Sequence, residues 1–294
     1  MASSRRTTGT AFVLAGGGSL GAVQVGMLRS LTAAGVVPDL LVGASAGAIN
    51  ASFFAGDPTA RGVAELERIW RGLERSDVFP VSLLQGGLGV LGFRRNLVDP
   101  SPLRRLLARS LPALDLARTA LPCHVVATDV TSGEEVVLSS GSAVEAVLAS
   151  AAIPGVFPPV SIGGRYLIDG GIANNTPLST AVSLGAGRIV VLPTGYACAL
   201  DAPPQSALGM VLHAVSLLIS RQLRVDIERL AAQADLHVVP PLCPIAVGPH
   251  DFRCAGEWIE RAARSTQQWL ERGGLEQHDV PGELGFHLHE AVGY

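Results

Sequence analysis

The sequence predicts an α/β domain in three layers, with helices on both faces of a mostly parallel central sheet. Three observations support this fold class. Short apolar runs alternate with helix-compatible stretches along the whole chain. No Pro/Ser-rich linker divides the chain, and no segment repeats. The 294 residues, 48% hydrophobic and 16% charged, are enough to bury a sizeable core, which excludes a disordered or fibrous protein.

The first elements are two strand–turn–helix units. An apolar run over residues 11–14 ends in glycines before a helix that reaches Leu31, and a run over 40–42 precedes a helix over 48–54. Later strands are predicted over residues 124–127, 135–138, 165–168, 189–192 and 237–239. The last two are apolar throughout, as is typical of buried parallel strands. Helices are predicted over residues 142–149, 176–184, 207–232 and 256–272.

No internal domain boundary is predicted. We expect a flexible N-terminus over residues 1–9, one domain over 10–275 and a C-terminal tail over 276–294. Residues 7–28 carry no charged side chain, a pattern shared by targeting segments and anchors. The triple glycine over 16–18 would weaken a membrane-inserted helix, so we favour the interpretation that this stretch belongs to the folded domain.

Composition excludes several classes of chemistry. All 22 basic residues are arginine, so mechanisms that need a lysine are excluded. The net charge of −3 provides no basic field for a phosphate backbone, so we expect no nucleic-acid partner. The cysteines lack the spacing of a zinc site or a disulfide framework, which favours free thiols in a reducing, cytoplasmic compartment. They are Cys123, Cys198, Cys243 and Cys254.

The first glycine cluster supports two interpretations. Gly16, Gly18 and Gly21 fit the pattern G-x-G-x-x-G between a strand and a helix, which is typical of a dinucleotide-binding turn. However, Asp39 precedes the second strand instead of ending it, so this acid would lie at the wrong end of the strand to reach a ribose. The same row of N–H groups at a helix N-terminus also suits a developing oxyanion. A dinucleotide-dependent oxidoreductase therefore stays an alternative to an oxyanion hole.

The second glycine cluster predicts a nucleophile. Gly43, Ser45 and Gly47 fit the pattern G-x-S-x-G between a strand and a helix, as a nucleophile elbow requires. The outer glycines leave room for a sharp turn that presents the serine Oγ at the edge of the sheet. The N–H of Ala46 would face the same space and supply one donor to an oxyanion.

A serine hydroxyl also needs a base, and two candidates stay open. In an ordinary α/β-hydrolase, the base would come late in the chain, at His287 or His289. The competing candidate is Asp169, which ends a predicted strand and precedes Gly170 and Gly171. Partial burial would raise the pKa of this aspartate and make it a plausible base if it hydrogen-bonds the serine directly.

The sequence resembles the patatin-like phospholipase family, including its bacterial members. Three motifs carry this resemblance, in this order: the glycine loop at 16–21, the elbow at 43–47 and the Asp-Gly-Gly sequence at 169–171. The resemblance extends to the segments at 127–129, 131–134, 149–159 and 174–177, and covers about residues 10–195.

The resemblance implies an α/β/α sandwich and an enzyme that hydrolyses acyl esters of lipids with a Ser-Asp dyad, without metal or cofactor. Carried over to this sequence, Ser45 is the nucleophile and Asp169 is the base. The resemblance also implies that the amides of Gly17, Gly18 and Ser19 form the oxyanion hole.

One departure from the family pattern is Leu20, where the family often has Arg or Lys. Loss of that cation is expected to weaken anion stabilisation or headgroup preference, while the backbone donors remain. We expect an apolar acyl substrate, because residues 79–93 and a helix over 207–220 offer apolar surface. Residues 79–93 are expected either to pack on the core or to form a lid or membrane-touching loop. Peripheral membrane contact and a non-catalytic lipid-binding role stay open.

Overall fold

A mixed sheet of eight strands forms the middle layer in the described part of the chain. The computed structural model describes residues 9–78, 98–200, 202–205, 207–246, 248 and 251–285. The strands are β1 (Thr10–Leu14), β2 (Leu40–Ala44), β3 (Cys123–Asp129), β4 (Glu135–Leu138), β5 (Val160–Ile162), β6 (Arg165–Asp169), β7 (Arg188–Leu192) and β8 (Asp235–Val238). The helices are α1 (Gly21–Ala33), α2 (Ala46–Gly56), α3 (Ala60–Gly72), α4 (Arg75–Val78), α5 (Ser101–Ser110), α6 (Ala143–Ser150), α7 (Gly171–Asn174), α8 (Leu178–Ser183), α9 (Ala207–Leu230) and α10 (Ala255–Glu271).

The strand order confirms the predicted mostly parallel sheet. The order is β5-β6-β3-β2-β1-β7-β8, and β4 also pairs with β3. The five strands β3, β2, β1, β7 and β8 run parallel to one another, whereas β4, β5 and β6 are antiparallel to their neighbours. The predicted strands over 124–127 and 135–138 form the antiparallel pair β3–β4.

The central strand β1 shows why helices cover both faces of the sheet. Successive side chains of a strand point to opposite faces, and all those from Ala11 to Leu14 are fully buried. Phe12 and Leu14 join a core cluster with α1, α2, α3, α5, α6 and α10, whereas Ala11 and Val13 join a second cluster with α8 and α9. The chain therefore forms the predicted three layers.

Five of the described elements have no counterpart among the sequence-based predictions: strand β5 and helices α3, α4, α5 and α7. Helix α3 nevertheless carries a helical signal, because Val63, Leu66 and Trp70 are buried along one stripe. Helix α9 covers most of the predicted helix over 207–232, and its Leu218 is 67% exposed. In the part of the chain that the structure describes, no helix is both long and apolar enough to cross a membrane.

The predicted boundaries fall partly outside the described residues. Residues 1–8, the apolar segment at 79–93 and residues 286–294 lie there. Within the predicted tail, Leu284 is buried in the second core cluster, and the Tyr196 hydroxyl donates a hydrogen bond to the carbonyl of Gly285. The division into an N-terminus, one domain and a tail stays a prediction.

Candidate active site

The three sequence motifs meet at one edge of the sheet. Strands β1 and β2 are parallel neighbours with Leu14 opposite Gly43, so the glycine loop and Ser45 follow the same ends of adjacent strands. Asp169 is the last residue of β6, which runs antiparallel to β3. Asp169 pairs with Ala127 of β3. The topology therefore brings the predicted nucleophile, base and glycine loop together at the carboxyl ends of the parallel strands, where ligands bind in α/β folds.

Ser45 lies in the strained turn that the elbow pattern predicts. Its φ of 53° and ψ of −122° make it the only non-glycine residue with positive φ in the described ranges. The turn is tight because α2 packs against the end of β1: a Cβ on Gly47 would lie 2.1 Å from the carbonyl oxygen of Leu14. Such a backbone conformation costs on the order of 1–3 kcal/mol, and the surrounding packing maintains it.

Ser45 and Asp169 form a direct hydrogen bond. The Ser45 hydroxyl donates to Asp169 Oδ2 at 2.7 Å, and the N–H of Gly171 donates to Asp169 Oδ1 at 2.8 Å. The two residues are 8% and 7% exposed. Burial raises the pKa of Asp169 to about 6, although the hydrogen bonds from Ser45 and Gly171 oppose this shift. The Asp169 carboxyl group therefore titrates closer to neutral pH than an exposed aspartate, and it accepts the hydrogen bond of the serine hydroxyl. The alternative bases, His287 and His289, lie outside the described residues.

Two hydroxyl side chains that sequence reasoning did not assign hold the pair in place. Ser150 Oγ accepts from the N–H of Ser45 at 2.8 Å and donates to the carbonyl of Val126 at 2.5 Å. Thr128 Oγ1 donates to the carbonyl of Asp169 at 2.8 Å. The available signal for Ser150 was a single hydroxyl at the end of α6, a helix of mostly apolar residues.

The glycine loop is anchored at Gly16. Its N–H donates to the carbonyl of Asn175 at 3.0 Å, and its carbonyl accepts from Thr194 Oγ1 at 2.8 Å and from Asn175 Nδ2 at 3.2 Å. A Cβ on Gly16 would lie 3.0 Å from the Cβ of Ser45, so the loop touches the elbow directly. Thr194 had no role in the sequence-based predictions, because only the fold brings it beneath this loop.

The amides predicted as oxyanion donors have no acceptor within the described ranges. They belong to Gly17, Gly18, Ser19 and Ala46. Gly18 has a φ of 58°, which favours glycine, and lies beside Ser45 and Ala46 at the wall of a pocket. Ala46 is also the first residue of α2, so its N–H adds the positive end of the helix dipole.

A buried network of hydrogen bonds fixes the backbone that leads into the glycine loop. Gln24 Nε2 donates to the carbonyls of Ala15 and Leu192, and Gln24 Oε1 accepts from Asn50 Nδ2. Trp70 Nε1 completes the network by donating to Asn50 Oδ1 at 2.8 Å. The network links β1, β7, α1, α2 and α3, and fixes the position from which the glycine loop leaves β1.

An apolar pocket opens on Ser45. Trp70 and Phe252 stack in its wall, with ring centroids 6.4 Å apart. Apart from Ser45 and Ser110, its lining is almost entirely aliphatic and aromatic: Gly18, Ala46, Ile49, Phe53, Leu66, Ile69, Leu73, Val78, Leu103, Leu106, Leu107, Leu111, Ala151, Ile153 and Phe157. These residues come mainly from α2, α3 and α5. The α9 surface expected from the sequence does not line this pocket.

The positions of Leu20 and Asp39 decide what these two residues can do at the site. Leu20 is fully buried in the larger core cluster, so its side chain is part of the protein interior.

Asp39 Oδ2 accepts a hydrogen bond from the N–H of Thr10 at 2.6 Å, at the start of β1. Asp39 therefore lies at the end of the sheet opposite the glycine loop. The second requirement of a dinucleotide site, an acid that reaches the ribose, is not met by Asp39.

Several known proteins are similar to this chain in sequence. A family model described as patatin-like phospholipase matches residues 12–182. An uncharacterized NTE family protein of Mycobacterium tuberculosis is 32% identical over 181 residues, which cover 60% of this chain and 29% of that protein. Patatin-like phospholipase domain-containing protein 6 of Homo sapiens is 30% identical over 187 residues, covering 63% of this chain and 13% of that protein. The chain therefore matches under a third of either relative's length.

A solved structure shares the fold. VipD from Legionella pneumophila superposes with a TM-score of 0.51 over 90% of this chain and 67% of that chain, at 15% sequence identity. At this identity the likeness shows the fold alone. It agrees with the observed arrangement of a mostly parallel sheet between helices.

Proposed function

Because the chain belongs to the patatin-like phospholipase family, we propose that it is a serine hydrolase that cleaves the acyl esters of lipids. Ser45 is the proposed nucleophile and Asp169 the proposed general base. The observation that carries this proposal is the 2.7 Å hydrogen bond from Ser45 Oγ to Asp169 Oδ2, formed beside an apolar pocket. The pair has the geometry required of a nucleophile and its base.

The first half of the reaction acylates the serine. Asp169 accepts the Ser45 proton while Oγ attacks the ester carbonyl carbon and forms a tetrahedral intermediate. The negative oxygen of this intermediate receives hydrogen bonds from the amides of Gly17, Gly18, Ser19 and Ala46. The ester C–O bond then breaks, and the departing alkoxide takes the proton from Asp169.

The second half releases the acid. Asp169, again ionised, accepts a proton from a water molecule whose oxygen attacks the acyl-enzyme carbonyl. Collapse of this second tetrahedral intermediate breaks the bond to Ser45 Oγ, which takes the proton back from Asp169. The N–H of Gly171 and the backbone of β6 orient the carboxylate, so the mechanism needs no third catalytic side chain.

The pocket indicates the substrate class. Its apolar lining suits a hydrocarbon chain, and Ser45 at one wall places the ester carbonyl at the pocket mouth. A polar headgroup would then stay on the solvent side. Taking such a lipid from a bilayer requires only peripheral contact with the membrane, and no cofactor enters the proposed reaction.

Hydrolysis of p-nitrophenyl esters of increasing chain length tests this proposal. We expect a kcat/KM for the hexanoate about 200-fold above that for the acetate if all four additional CH2 groups are buried, because each contributes about 0.8 kcal/mol and about 1.4 kcal/mol is tenfold. Ile69→Asn in the pocket should reduce this ratio, whereas Leu218→Asn on the exposed face of α9 should not. Absence of hydrolysis, and of release of fatty acid from phospholipid vesicles, would favour a non-catalytic lipid-binding protein.

The pH dependence of hydrolysis tests the role of Asp169. Because only the ionised carboxylate accepts the serine proton, kcat/KM is expected to fall about tenfold per pH unit below the pKa of about 6. Initial rates between about pH 4.5 and 8.5 measure this limb. If the base is a carboxyl group, a water-miscible cosolvent should shift this fall in rate to higher pH, because ionisation of a carboxyl creates charge. If the base is a histidine, the fall should hardly shift, because loss of a proton from an imidazolium creates no new charge. A limb insensitive to cosolvent would contradict an aspartate base.

A further inference from the structure

We propose that Asp235, His237 and His278 form a binding site for a divalent transition-metal ion, for which Zn²⁺ is the best match. Their ligand atoms all lie within 4.8 Å of one another. Asp235 is the first residue of β8, which runs parallel to β2 in the same sheet, whereas Ser45 follows the last residue of β2. The site is therefore at the opposite edge of the sheet from the proposed catalytic pair, and it takes no part in the proposed ester hydrolysis.

The backbone brings the three residues together from distant parts of the sequence. Asp235 and His237 are two residues apart on β8, so their side chains leave the same face of the strand. His278 follows α10, where the chain returns to the end of the sheet. His237 and His278 have ring centroids 5.3 Å apart. Because His237 and His278 lie far apart in the sequence, no local spacing of residues indicates this site.

His237 is oriented so that its Nε2 faces Asp235. Its side chain is 1% exposed, and its Nδ1 lies 3.1 Å from the carbonyl oxygen of Gln277. A carbonyl oxygen only accepts, so Nδ1 is the donor of this hydrogen bond, and Nε2 is the ring nitrogen available to a metal ion. A hydrogen bond from the second ring nitrogen to a carbonyl is a usual outer partner of metal-binding histidines.

The buried ends of His237 and Asp235 lack hydrogen-bond partners in the described part of the chain. His237 Nε2 lies 3.0 Å from Asp235 Oδ1, yet the two atoms form no hydrogen bond of acceptable geometry, and both are buried. Since buried polar atoms without partners are costly and rare, a ligand between them would satisfy both. A metal ion accepts the imidazole lone pair and the carboxylate lone pair at the same time.

The distances fit tetrahedral zinc. Ligand atoms bound at the usual Zn–N and Zn–O distances are about 3.3 Å apart. Asp235 Oδ1 lies 3.0 Å from His237 Nε2 and 3.2 Å from His278 Nδ1. Arg188 Nε lies 3.6 Å from Asp235 Oδ2, so the second carboxylate oxygen faces a cation and Oδ1 is the oxygen available to the metal. Two imidazoles and one carboxylate favour Zn²⁺ over Ca²⁺ or Mg²⁺, with water as the fourth ligand.

Titration of the full chain, without a histidine tag, with Zn²⁺ tests the proposal. We expect one Zn²⁺ per chain by calorimetry and a rise in Tm at saturation. His278→Ala is the main variant, because this side chain is 70% exposed and its removal should leave the fold intact. We expect this variant to bind Zn²⁺ at least about 100-fold more weakly and to lose the Zn²⁺-dependent rise in Tm, while its metal-free Tm equals that of the wild type.

Two control variants separate this site from other metal-binding groups. His213→Ala removes a histidine on α9 and should bind Zn²⁺ like the wild type. Cys243→Ser tests a competing soft site, because the Sγ atoms of Cys198 and Cys243 lie 3.8 Å apart, and it should also retain binding. The Co²⁺ form should show tetrahedral absorption bands without thiolate charge transfer. The proposal is overturned by failure of the wild type to bind Zn²⁺, by unchanged binding in His278→Ala, or by loss of binding in Cys243→Ser.

Discussion

Ser45→Ala is expected to abolish ester hydrolysis, lowering kcat by at least about 10⁴-fold. The substitution removes only Oγ, the atom that attacks the carbonyl in the proposed mechanism, and leaves the loop amides and the pocket unchanged. Rates with p-nitrophenyl hexanoate, together with labelling by a fluorophosphonate that reacts with activated serines, measure the effect. Residual turnover within about tenfold of the wild type would rule out Ser45 as the nucleophile.

The matched control for this variant is Ser45→Gly. It also lacks the hydroxyl and should be equally inactive. However, glycine adopts the φ of 53° without strain, so Ser45→Gly should be more stable than Ser45→Ala by about 1 kcal/mol in urea unfolding. Equal stability of the two variants would mean that the elbow is not strained.

Asp169→Asn is expected to lower kcat by about 10³- to 10⁴-fold and to make the protein more stable at alkaline pH. An amide retains the size of the carboxyl but cannot accept the serine proton. Activity that survives this substitution would indicate a histidine base and the ordinary hydrolase order of catalytic residues.

The stability gain has a defined pH window. Below about pH 4 the carboxyl is protonated in both the folded and the unfolded protein, so the substitution has little effect. As the pH rises to about 6, the unfolded carboxyl ionises before the folded one, and the wild type loses stability. Above that pH the loss is complete, at up to about 3 kcal/mol. Urea unfolding of both proteins at about pH 4 and pH 8 measures the difference; a variant less stable than the wild type at the higher pH would contradict it.

The sequence predicts the parts of this site that depend on short patterns. The loop at 16–21, the elbow at 43–47 and Asp169 are each recognisable because a tight turn requires glycine next to the functional residue. The parallel order of β1 and β2 then brings the first two motifs together. The structure contains the strained turn and the hydrogen bond that these motifs imply.

Other parts of the site depend on contacts between distant residues and have no local signal. Thr194 bonds the carbonyl of Gly16 across 178 positions, and Ser150 bonds the N–H of Ser45 across 105. A hydroxyl residue occurs in so many structural roles that neither contact could be inferred from its neighbours. The pocket helix α5 was missed because its burial rests on only two residues, Leu103 and Leu107.

The distance along the chain between Ser45 and Asp169 has a consequence for synthesis. The two residues are 124 positions apart, so at about 5–20 residues per second a ribosome adds the aspartate roughly 6–25 s after the serine. During that interval the nascent chain carries the elbow serine without Asp169, its proposed base. In the proposed mechanism, hydrolysis can therefore begin only after β6 has emerged and paired with β3.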